Sequence, residues 1–561
     1  MTHNRIFRHL SVAGLGMVLA TSPAFAADYF IQPTKAGPVA GTALGAVSLQ
    51  GEAMPVRKAA PTTYYKRVQS TAPVGTNTAG KWVRAKLKPT AAATTKPKPT
   101  PVAQDDDPVT APDVMDDDVN VPTTPTTPTT PTTPTTPTTP TTPTTPTTPT
   151  TPTTPTTPTT NPGTQTTANT FKTFDALVSS GKLTGGDRVF FMDGYHGPVM
   201  VVGQNFASPV TLAPVPGQSA HLDVINVRAS SNVVFDGFKL WPTTTNQGAS
   251  GLVRSYSDSK NIVFRNLDIR GAADAGNYMK WSASDWMSRY QTGMLLQSPY
   301  TTATNNRLTG VQYGILAMGA NARVENNIID GFSGDGMRAL GNNSLVRGNK
   351  IQNCFMVEPA IHNDGFQSYS VGADGRPGTG TQTNLVIENN KILEWTSAAT
   401  NPLRCQLQGI GMFDGMFDGL TIQNNVVVVS QYHGITVAGA RNAIITQNTV
   451  VNSNGQPGRW PWIMISSHKD GRKSTNSRVV NNLTTFLSTT ADAANGIVVA
   501  NNQIAQASSV LFKNAAGGDL SLKAGSPAID AANATYMNQS DITGTKRFKG
   551  KAPDVGAYES Q

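Results

Sequence analysis

The chain has 561 residues, two cysteines, seven histidines and a formal net charge of +9 at pH 7. This basic balance favours an anionic partner such as an acidic polysaccharide or a membrane surface, and the lack of a recognition motif argues against nucleic acid. The few cysteines and histidines do not have the spacing of a structural zinc site, so that class is not supported.

The segment 1–26 has the pattern of a secretory signal peptide. Arg5 and Arg8 precede the apolar run LSVAGLGMVLA, and small residues stand at Ala24 and Ala26. A membrane anchor is the weaker interpretation, because the run is far shorter than the roughly 20 residues that span a bilayer. No later stretch is long and apolar enough to be a transmembrane segment. We therefore expect cleavage after Ala26 and a secreted, periplasmic or cell-surface protein. We also expect the protein to be a monomer.

Two segments follow that are not expected to form a core. Residues 27–121 are predicted to be disordered, because they are rich in Ala, Thr, Pro and Lys and lack a sustained hydrophobic period. Residues 122–167 form a Thr-Thr-Pro linker, in which a proline at every third position excludes helices and favours polyproline II. At roughly 3.1 Å per residue, this linker would be a stiff spacer on the order of 100 Å long.

Residues 168–561 contain recurring β-rich runs, each with apolar residues two apart and commonly an Asn pair after them. The runs include ARVENNIID, SLVRGNKIQ, GLTIQNNVVV and NAIITQNTVV, and the most closely spaced ones start at positions 322 and 344 and at positions 419 and 442. Such a period, with three short strands per repeat, is typical of a parallel β-helix. We therefore predict an all-β solenoid whose coils stack apolar residues and whose bend asparagines hydrogen-bond from coil to coil.

The two cysteines, Cys354 and Cys405, both lie in this region. In an oxidising compartment they could form a disulfide, and two buried free thiols are an equal alternative. The sequence leaves the choice open.

Both ends of the solenoid resemble a known group of proteins. The segment GGDRVFFMDGYHGPVMV (185–201) resembles the first coil of secreted right-handed β-helix polysaccharide lyases and epimerases, the pectate-lyase-like superfamily. The segment from AGSPAID to GAYES (524–560) is similar to the closing segment of bacterial β-helix proteins of that group. The resemblance implies a right-handed β-helix that binds, and acts on, an acidic polysaccharide. The motifs NDG and YHG are similar to two polygalacturonase motifs, but the paired-Asp and Arg-x-Lys motifs are missing, so no catalytic residue is carried over.

An alignment of five short segments predicts a polar face. The column expected to point inward holds Ile315, Met337, Phe366, Met412 and Ile435. The column two residues earlier holds Tyr313, Asp335, Asp364, Ile410 and His433, and the column one residue later holds Leu316, Arg338, Gln367, Phe413 and Thr436. Because adjacent strands lie about 4.8 Å apart, the polar members of these columns should be neighbours, with His362 at the start of the same strand.

These residue types suit β-elimination from a uronic acid, which needs a neutralised carboxylate, a base for the C5 proton and an acid for the leaving oxygen. Arg338 and Gln367 could hold the substrate carboxylate. His362 or Lys280 could serve as the base, and His433 or Tyr369 as the acid. The candidate catalytic residues are His362, Asp364, Arg338, Asp335 and His433, and the candidate substrate-binding residues are Gln367, Lys280, Trp281, Arg289 and Tyr369.

Structural roles are the alternative for each of these residues. Asp335 and Asp364 both precede a glycine, where Asp commonly forms a turn or caps backbone amides. The insert GNYMKWSASDWMSRYQ (276–291) could hold sugars with Trp281 and Arg289, or it could be a cap that folds over the flank of the coils. The residues also allow a glycoside hydrolase that uses Asp335 and Asp364, a uronan C5-epimerase, or a non-catalytic polysaccharide-binding or surface-structural protein. No metal ligand is assigned, and the use of Ca²⁺ is left open.

Overall fold

The computed structural model describes residues 26–34, 162–243, 251–358, 362–505, 507–515 and 518–560. The predicted signal peptide up to residue 25, most of the predicted disordered region and the Thr-Thr-Pro linker up to residue 161 lie outside the described residues.

Parallel strands follow one another in three rows, which we call sheets A, B and C, and the prediction of a parallel β-helix is confirmed. In the described part of the chain, sheet A has 14 strands, and sheets B and C together have 21. Sheets B and C are joined because two long strands, Gly194–Val202 and Ala220–Arg228, run through both of them. The strands of sheet A are Thr170–Phe171, Asp28–Ile31, Arg188–Phe191, Asn205–Pro214, Ser231–Asp236, Lys260–Arg265, Thr302–Thr304, Arg323–Glu325, Leu345–Arg347, Val386–Glu388, Thr421–Gln423, Ile444–Thr446, Arg478–Val480 and Val498–Ala500.

Each coil passes from sheet A to sheet B and then to sheet C. The further strands of sheet B are Lys239–Leu240, Asp268–Arg270, Arg307–Val311, Ile328–Phe332, Lys350–Cys354, Lys391–Leu393, Val426–Val429, Thr449–Asn452, Leu483–Thr484 and Gln503–Ile504. The further strands of sheet C are Val253–Ser255, Thr292–Leu296, Tyr313–Ala317, Met337–Ala339, Asp364–Tyr369, Gln408–Asp414, His433–Ala438, Trp462–Ser466 and Phe486–Leu487.

The Asn pairs form the bend between sheets A and B. The first asparagine of a pair has a positive φ, as at Asn326 (57°) and Asn389 (58°), a conformation that Asn adopts more readily than other side chains. The second asparagine is buried and donates its side-chain amide to the side-chain oxygen of the equivalent residue in the next coil at 2.9–3.0 Å. This ladder, as predicted, runs through Asn306, Asn327, Asn349, Asn390, Asn425, Asn448, Asn482 and Asn502.

One continuous hydrophobic core runs along the inside of the coils, from Tyr29 near the start to Ile497 near the end. Its members alternate with outward residues along each strand, because successive side chains of a strand point to opposite faces. Stacked apolar columns therefore hold the solenoid together, and a second apolar cluster packs Val426, Val451 and Leu483 of sheet B against the C-terminal segment.

The predicted boundary of the disordered region at residue 27 is wrong for its first residues. Asp28–Ile31 is a strand of sheet A, paired on one side with Arg188–Phe191 and on the other with Thr170–Phe171. Its run of three apolar residues, Tyr29 to Ile31, is buried (1–8% exposed), which stabilises the strand within the first coil. The composition of the long segment that follows concealed this short apolar run.

The remaining elements cover the flanks of the coils. Sheet D, of three strands, is Thr381–Thr383, Met416–Asp418 and Ala440–Arg441, and an antiparallel pair is Phe512–Asn514 with Asp519–Leu522. The α-helices are Phe174–Ser179, Ala283–Ser288 and Ser508–Leu511, and the 3-10 helices are Ala275–Lys280, Ala493–Asn495 and Ala534–Tyr536. None of the helices in the described ranges has the length and hydrophobicity to cross a membrane.

The two cysteines form a disulfide. Cys354 ends a sheet B strand, and Cys405 lies one coil later, in the loop between Lys391–Leu393 and Gln408–Asp414. Their Cα atoms are 5.4 Å apart, and the bond closes a separation of 51 residues. Closing a loop of this length stabilises the folded state by roughly 4 kcal/mol in the chain-entropy treatment. The free-thiol alternative is therefore wrong.

Candidate functional site

The register of sheet C differs from the predicted alignment in one coil. The inward column is Ile315, Met337, Phe366, Ile410 and Ile435, so Ile410 occupies the position that was predicted for Met412. The outward columns change accordingly, with Gln408 beside Asp364 and Gly411 beside Gln367. The strand that contains Ile410 and Met412 has apolar residues at both positions, so alternation alone could not choose between them.

The outer face of sheet C therefore has two neighbouring columns, the first polar and the second mixed. The first, which we call the sheet C polar column, is Tyr313, Asp335, Asp364, Gln408 and His433. The second is Leu316, Arg338, Gln367, Gly411 and Thr436.

Asp335 connects two neighbouring coils through both of its oxygens. Its Oδ2 accepts a hydrogen bond from Nε of Arg338 at 2.6 Å, and its Oδ1 accepts one from the backbone N–H of Asp364 at 3.1 Å. Its side chain is 1% exposed. Asp335 therefore holds the register of the face and orients Arg338.

The Arg338 guanidinium lies beside this carboxylate and 5.4 Å from the ring centroid of Tyr313. Burial alone would lower the pKa of Arg338, but the Asp335 carboxylate outweighs burial and raises it. Arg338 is therefore a fixed positive charge, and its side chain is 15% exposed.

Asp364 and Gln367 belong to the next strand. Gln367 donates its side-chain amide to Oδ2 of Asp364 at 3.3 Å. In the adjacent coil Gly411 has no side chain, and a Cβ there would lie 2.3 Å from the ring of Phe413. The glycine thus allows the Phe413 ring to fold back over the face beside Asp364.

His433 is surrounded by three aromatic rings, of which the sequence alignment brought only that of Phe413 to the outward columns. The ring centroids of Phe413, Tyr432 and Trp462 lie 4.7, 4.2 and 5.4 Å from that of His433. Trp462 pairs with His433 in the strand register. The segment RWPWIMISSHKDGRK (459–473) contains two tryptophans, but its sequence does not show that Trp462, rather than Trp460, reaches the site.

The hydrogen bonds of Thr436 fix the tautomer of His433. Trp462 Nε1–H donates to Thr436 Oγ1 at 2.9 Å, so this oxygen acts as an acceptor toward Trp462. Thr436 is 1% exposed, so its hydroxyl hydrogen needs an acceptor within the protein. Among the described residues, that acceptor is Nδ1 of His433, 2.8 Å from Oγ1. Nδ1 therefore accepts, and the proton of the neutral imidazole is on Nε2.

The His433 ring is held neutral. Burial and, less strongly, the neighbouring His362 lower its pKa to about 3. Within the described part of the chain no hydrogen-bond partner of Nε2 is found, so this N–H can donate to a ligand oxygen.

The other predicted residues are placed differently. His362 is exposed, two residues before its strand and directly after residues 359–361, which lie outside the described ranges. Tyr369 closes the same strand and is half-buried near Arg338. Lys280 is exposed at the end of a 3-10 helix in the 276–291 insert.

Trp281 and Arg289 are part of a cap and do not offer the predicted sugar-binding surface. Trp281 is 5% exposed in a cluster with Tyr278, Trp286 and Phe355. Arg289 lies over the Trp281 ring and forms ion pairs with Asp285 of the insert and with Asp274, which precedes it. The insert therefore covers the flank of the coils, which was the alternative interpretation of its sequence.

The comparisons with known proteins concern the fold. Residues 290–542 match a family described as right handed beta helix region. Pectate lyase Pel9A is 16% identical over 72% of this chain and 94% of its own, with a TM-score of 0.35. The A-module of Azotobacter vinelandii mannuronan C-5 epimerase AlgE6 is 14% identical over 59% and 89%, with a TM-score of 0.39. Polysaccharide lyase Pedsa3628 of the PL6 family, from Pseudopedobacter saltans, is 13% identical over 66% and 99%, with a TM-score of 0.33. No curated protein matches the chain.

The fold is thus a right-handed parallel β-helix, as the sequence predicted. Among the residues that the structure describes, no group of three or more His, Cys, Asp or Glu side chains could hold a metal ion.

Proposed function

We propose that the protein binds an acidic, uronate-containing polysaccharide along the outer face of sheet C and cleaves it by β-elimination. The observation that carries this proposal is the arrangement around His433. A neutral imidazole with its N–H at Nε2 lies among three aromatic rings, near a second imidazole, that of His362. Further along the same face, Arg338 supplies a fixed positive charge.

Two requirements of β-elimination, the base and the group at the leaving oxygen, have residues that fit them near His433. Arg338 lies three strands from His433, roughly 14 Å away at about 4.8 Å per strand, so it would hold the carboxylate of another uronate of the bound chain. His362, which is exposed, would take the C5 proton, and the electron pair left behind would form the C4–C5 double bond as the C4–O bond breaks. His433 would donate a hydrogen bond from Nε2 to the leaving oxygen, which takes its proton from solvent. Aromatic rings around His433 would stack on the sugar rings.

A glycoside hydrolase is less well supported. That chemistry needs two carboxyl groups on either side of the scissile bond, available to the substrate. Both oxygens of Asp335 accept hydrogen bonds from Arg338 and Asp364, and the side chain is 1% exposed. Asp335 is therefore better suited to holding the face than to acid–base catalysis.

The proposed setting is outside the cytoplasm. The signal-peptide pattern at residues 1–26 predicts export, and the Cys354–Cys405 disulfide is of a kind that persists in oxidising compartments. We further propose that the protein acts as a monomer.

The test is incubation of the purified protein with a panel of uronate polymers, with and without Ca²⁺. Absorbance at the unsaturated-uronate band together with new reducing ends is the expected result. Reducing ends without that absorbance would indicate a hydrolase, and a changed C5 configuration without cleavage, seen by proton NMR, would indicate an epimerase. Retention of a polymer without any chemical change would leave a binding protein.

A further inference from the structure

A cavity of about 310 Å³ opens at the bend between sheets A and B, away from the sheet C polar column. Three basic side chains and three residues of the bend contribute most of its lining: Arg347, Lys350, Lys391, Asn326, Gly348 and Asn389. Its volume is at the lower end of the range of small-molecule sites in proteins.

The cavity exists because one side chain is missing from a regular column. The first residue of the bend pair is Asn326 in one coil and Asn389 two coils later, with φ of 57° and 58°. In the coil between them this position is Gly348, with φ of 69°. A Cβ at Gly348 would lie 2.4 Å from Oδ1 of Asn326, so the Asn326 side chain folds over the glycine, and both asparagines line the opening of the cavity.

In the following coils the same column is occupied by the protein's own C-terminal segment. That segment exchanges hydrogen bonds with each first bend residue in turn: Asn424 Nδ2 donates to Ser540 O at 2.8 Å, Asn538 N–H donates to Gln447 Oε1 at 2.6 Å, and Asn481 Nδ2 donates to Asn533 O at 3.0 Å. At Asn389 this covering ends, and Asn389 Oδ1 is buried without a hydrogen-bond partner among the described residues. The cavity therefore contains an acceptor that a ligand hydroxyl could satisfy.

Two of the three basic side chains, those of Lys350 and Lys391, form no ion pair with a described residue. Lys350 and Lys391 pair in adjacent strands, so two like charges lie one coil apart. The described residues place no carboxylate within 4.0 Å of either ammonium group. Arg347, in contrast, has Glu325 at 2.5 Å and Glu388 at 3.5 Å.

The electrostatics of Lys391 agree with an unfilled anion position. Burial, and then the charge of Lys350, lower the pKa of Lys391, while Asp519 and Asp541 act in the opposite direction from a greater distance. The Asp541 oxygens already accept hydrogen bonds from Thr543 and from the backbone of Glu559. An anion between the two lysines would remove their repulsion.

We infer that this cavity is a second carbohydrate-binding site, which takes one sugar acid. The carboxylate of the sugar lies between Lys350 and Lys391, and one of its hydroxyl groups donates a hydrogen bond to Asn389 Oδ1. Neutral sugars lack the charge for the lysines, and simple oxyanions lack the hydroxyl for Asn389. The site does not depend on the chemistry proposed for sheet C, and occupation would anchor a polymer chain on a second face of the solenoid.

The test is titration of the protein with glucuronate, glucose and sulfate, followed by amide chemical shifts or calorimetry. Glucuronate should bind at least tenfold more tightly than glucose or sulfate. Gly348→Asn should abolish this binding, because neighbouring coils have Asn at this φ and the new side chain would fill the opening. Lys350→Met should weaken it at least tenfold, and the matched control Lys260→Met, at an exposed lysine of sheet A, should not.

Equal binding of glucose, or of sulfate, would overturn the assignment to a sugar acid. Unchanged glucuronate affinity in Gly348→Asn, with an unchanged melting temperature, would overturn the location. His433→Gln should leave this affinity unchanged. These outcomes distinguish failure of the cavity proposal from failure of the sheet C proposal.

Discussion

Two stacks of polar residues run along this solenoid, and they differ in composition. The bend ladder repeats one residue type from coil to coil, and each asparagine bonds to the next at 2.9–3.0 Å. The sheet C polar column has a different residue in nearly every coil, from Tyr313 to His433. Identical side chains satisfy one another and maintain the coil, whereas different side chains leave groups such as His433 Nε2 available to a ligand. The comparison separates residues that build the scaffold from residues that serve function.

The largest expected effect on stability comes from the strand Asp28–Ile31, which belongs to the scaffold side of the comparison. A chain that starts at residue 169 lacks this strand and the buried side chains Tyr29, Phe30 and Ile31. We expect a loss of roughly 5–9 kcal/mol as an upper estimate from apolar burial. Chemical denaturation and amide exchange of Arg188–Phe191 measure it, with Ile31→Val as a mild control. Parent-like melting of the shortened chain would show that the strand is dispensable.

Removing one member of the ladder is expected to cost about 2–4 kcal/mol. Asn425→Ala removes the oxygen that accepts hydrogen bonds from the backbone and side-chain N–H groups of Asn390. It also removes the N–H that donates to the backbone oxygen of Ile387, so buried polar groups lose their partners. The melting temperature at a fixed scan rate measures the loss. Asn277→Ala, at an exposed position with no side-chain hydrogen bond to the described residues, is the control and should not shift it. An equal shift in melting temperature in both variants would mean that a ladder asparagine stabilises the fold no more than an exposed asparagine does.

On the functional side, His433→Phe should lower turnover of a uronate polymer by about 10²-fold, since it keeps an aromatic ring at this position but removes the positioned N–H donor. Its melting temperature should stay near that of the wild type, because His433 is only partly buried and lies outside the core. Product absorbance under substrate saturation measures the rate. Full activity in this variant would remove His433 from the mechanism.

A smaller effect, about tenfold in rate, is expected for Thr436→Val. The substitution removes the hydroxyl that bonds to both His433 and Trp462, so the ring loses its imposed tautomer. Nitrogen-15 NMR of the imidazole reports the tautomer directly and does not depend on activity. Thr436→Ser keeps the hydroxyl and should keep the Nε2–H form. A mixture of tautomers in the wild type would contradict the assignment.

The last expected effect is a change in pH dependence. The unfolded His433 takes up a proton below about pH 6.5, whereas the folded protein resists protonation until its lowered pKa of about 3. Because the unfolded state binds more protons in this window, the free energy of unfolding decreases as the pH falls from about 6.5 toward 3. His433→Gln should show a shallower decrease in melting temperature over that range. Identical slopes would place the responsible groups elsewhere.

The scaffold was predictable because it repeats. The Asn pairs and the regular spacing of the β-rich runs predicted the coil, the inward columns and the ladder, each of which depends on local alternation and stacking. The short strand Asp28–Ile31 was not predictable, because the whole Thr-Thr-Pro linker and the segment before it separate this strand from its partner Thr170–Phe171. Pairing over such a distance leaves no local signal.

The site was predictable in part. Asp335, Arg338, Asp364 and Gln367 come together as the alignment predicted, because their two strands are adjacent. Gln408 was missed, because Ile410 and Met412 in its strand are both apolar and alternation could not choose which of them points inward. The predictions for Trp281 and Arg289 failed because composition does not show whether an aromatic insert packs onto the coils or faces solvent.

The most direct test of the division between scaffold and function is the rate of uronate-polymer cleavage by His433→Phe and Asn425→Ala, measured below both melting temperatures. We predict that Asn425→Ala melts lower than the wild type but cleaves at nearly the wild-type rate. His433→Phe, which has no side-chain donor, should melt like the wild type and cleave about 10²-fold more slowly. Parallel loss of rate in both variants, or an unchanged rate in His433→Phe, would contradict the assignment of the sheet C face to function.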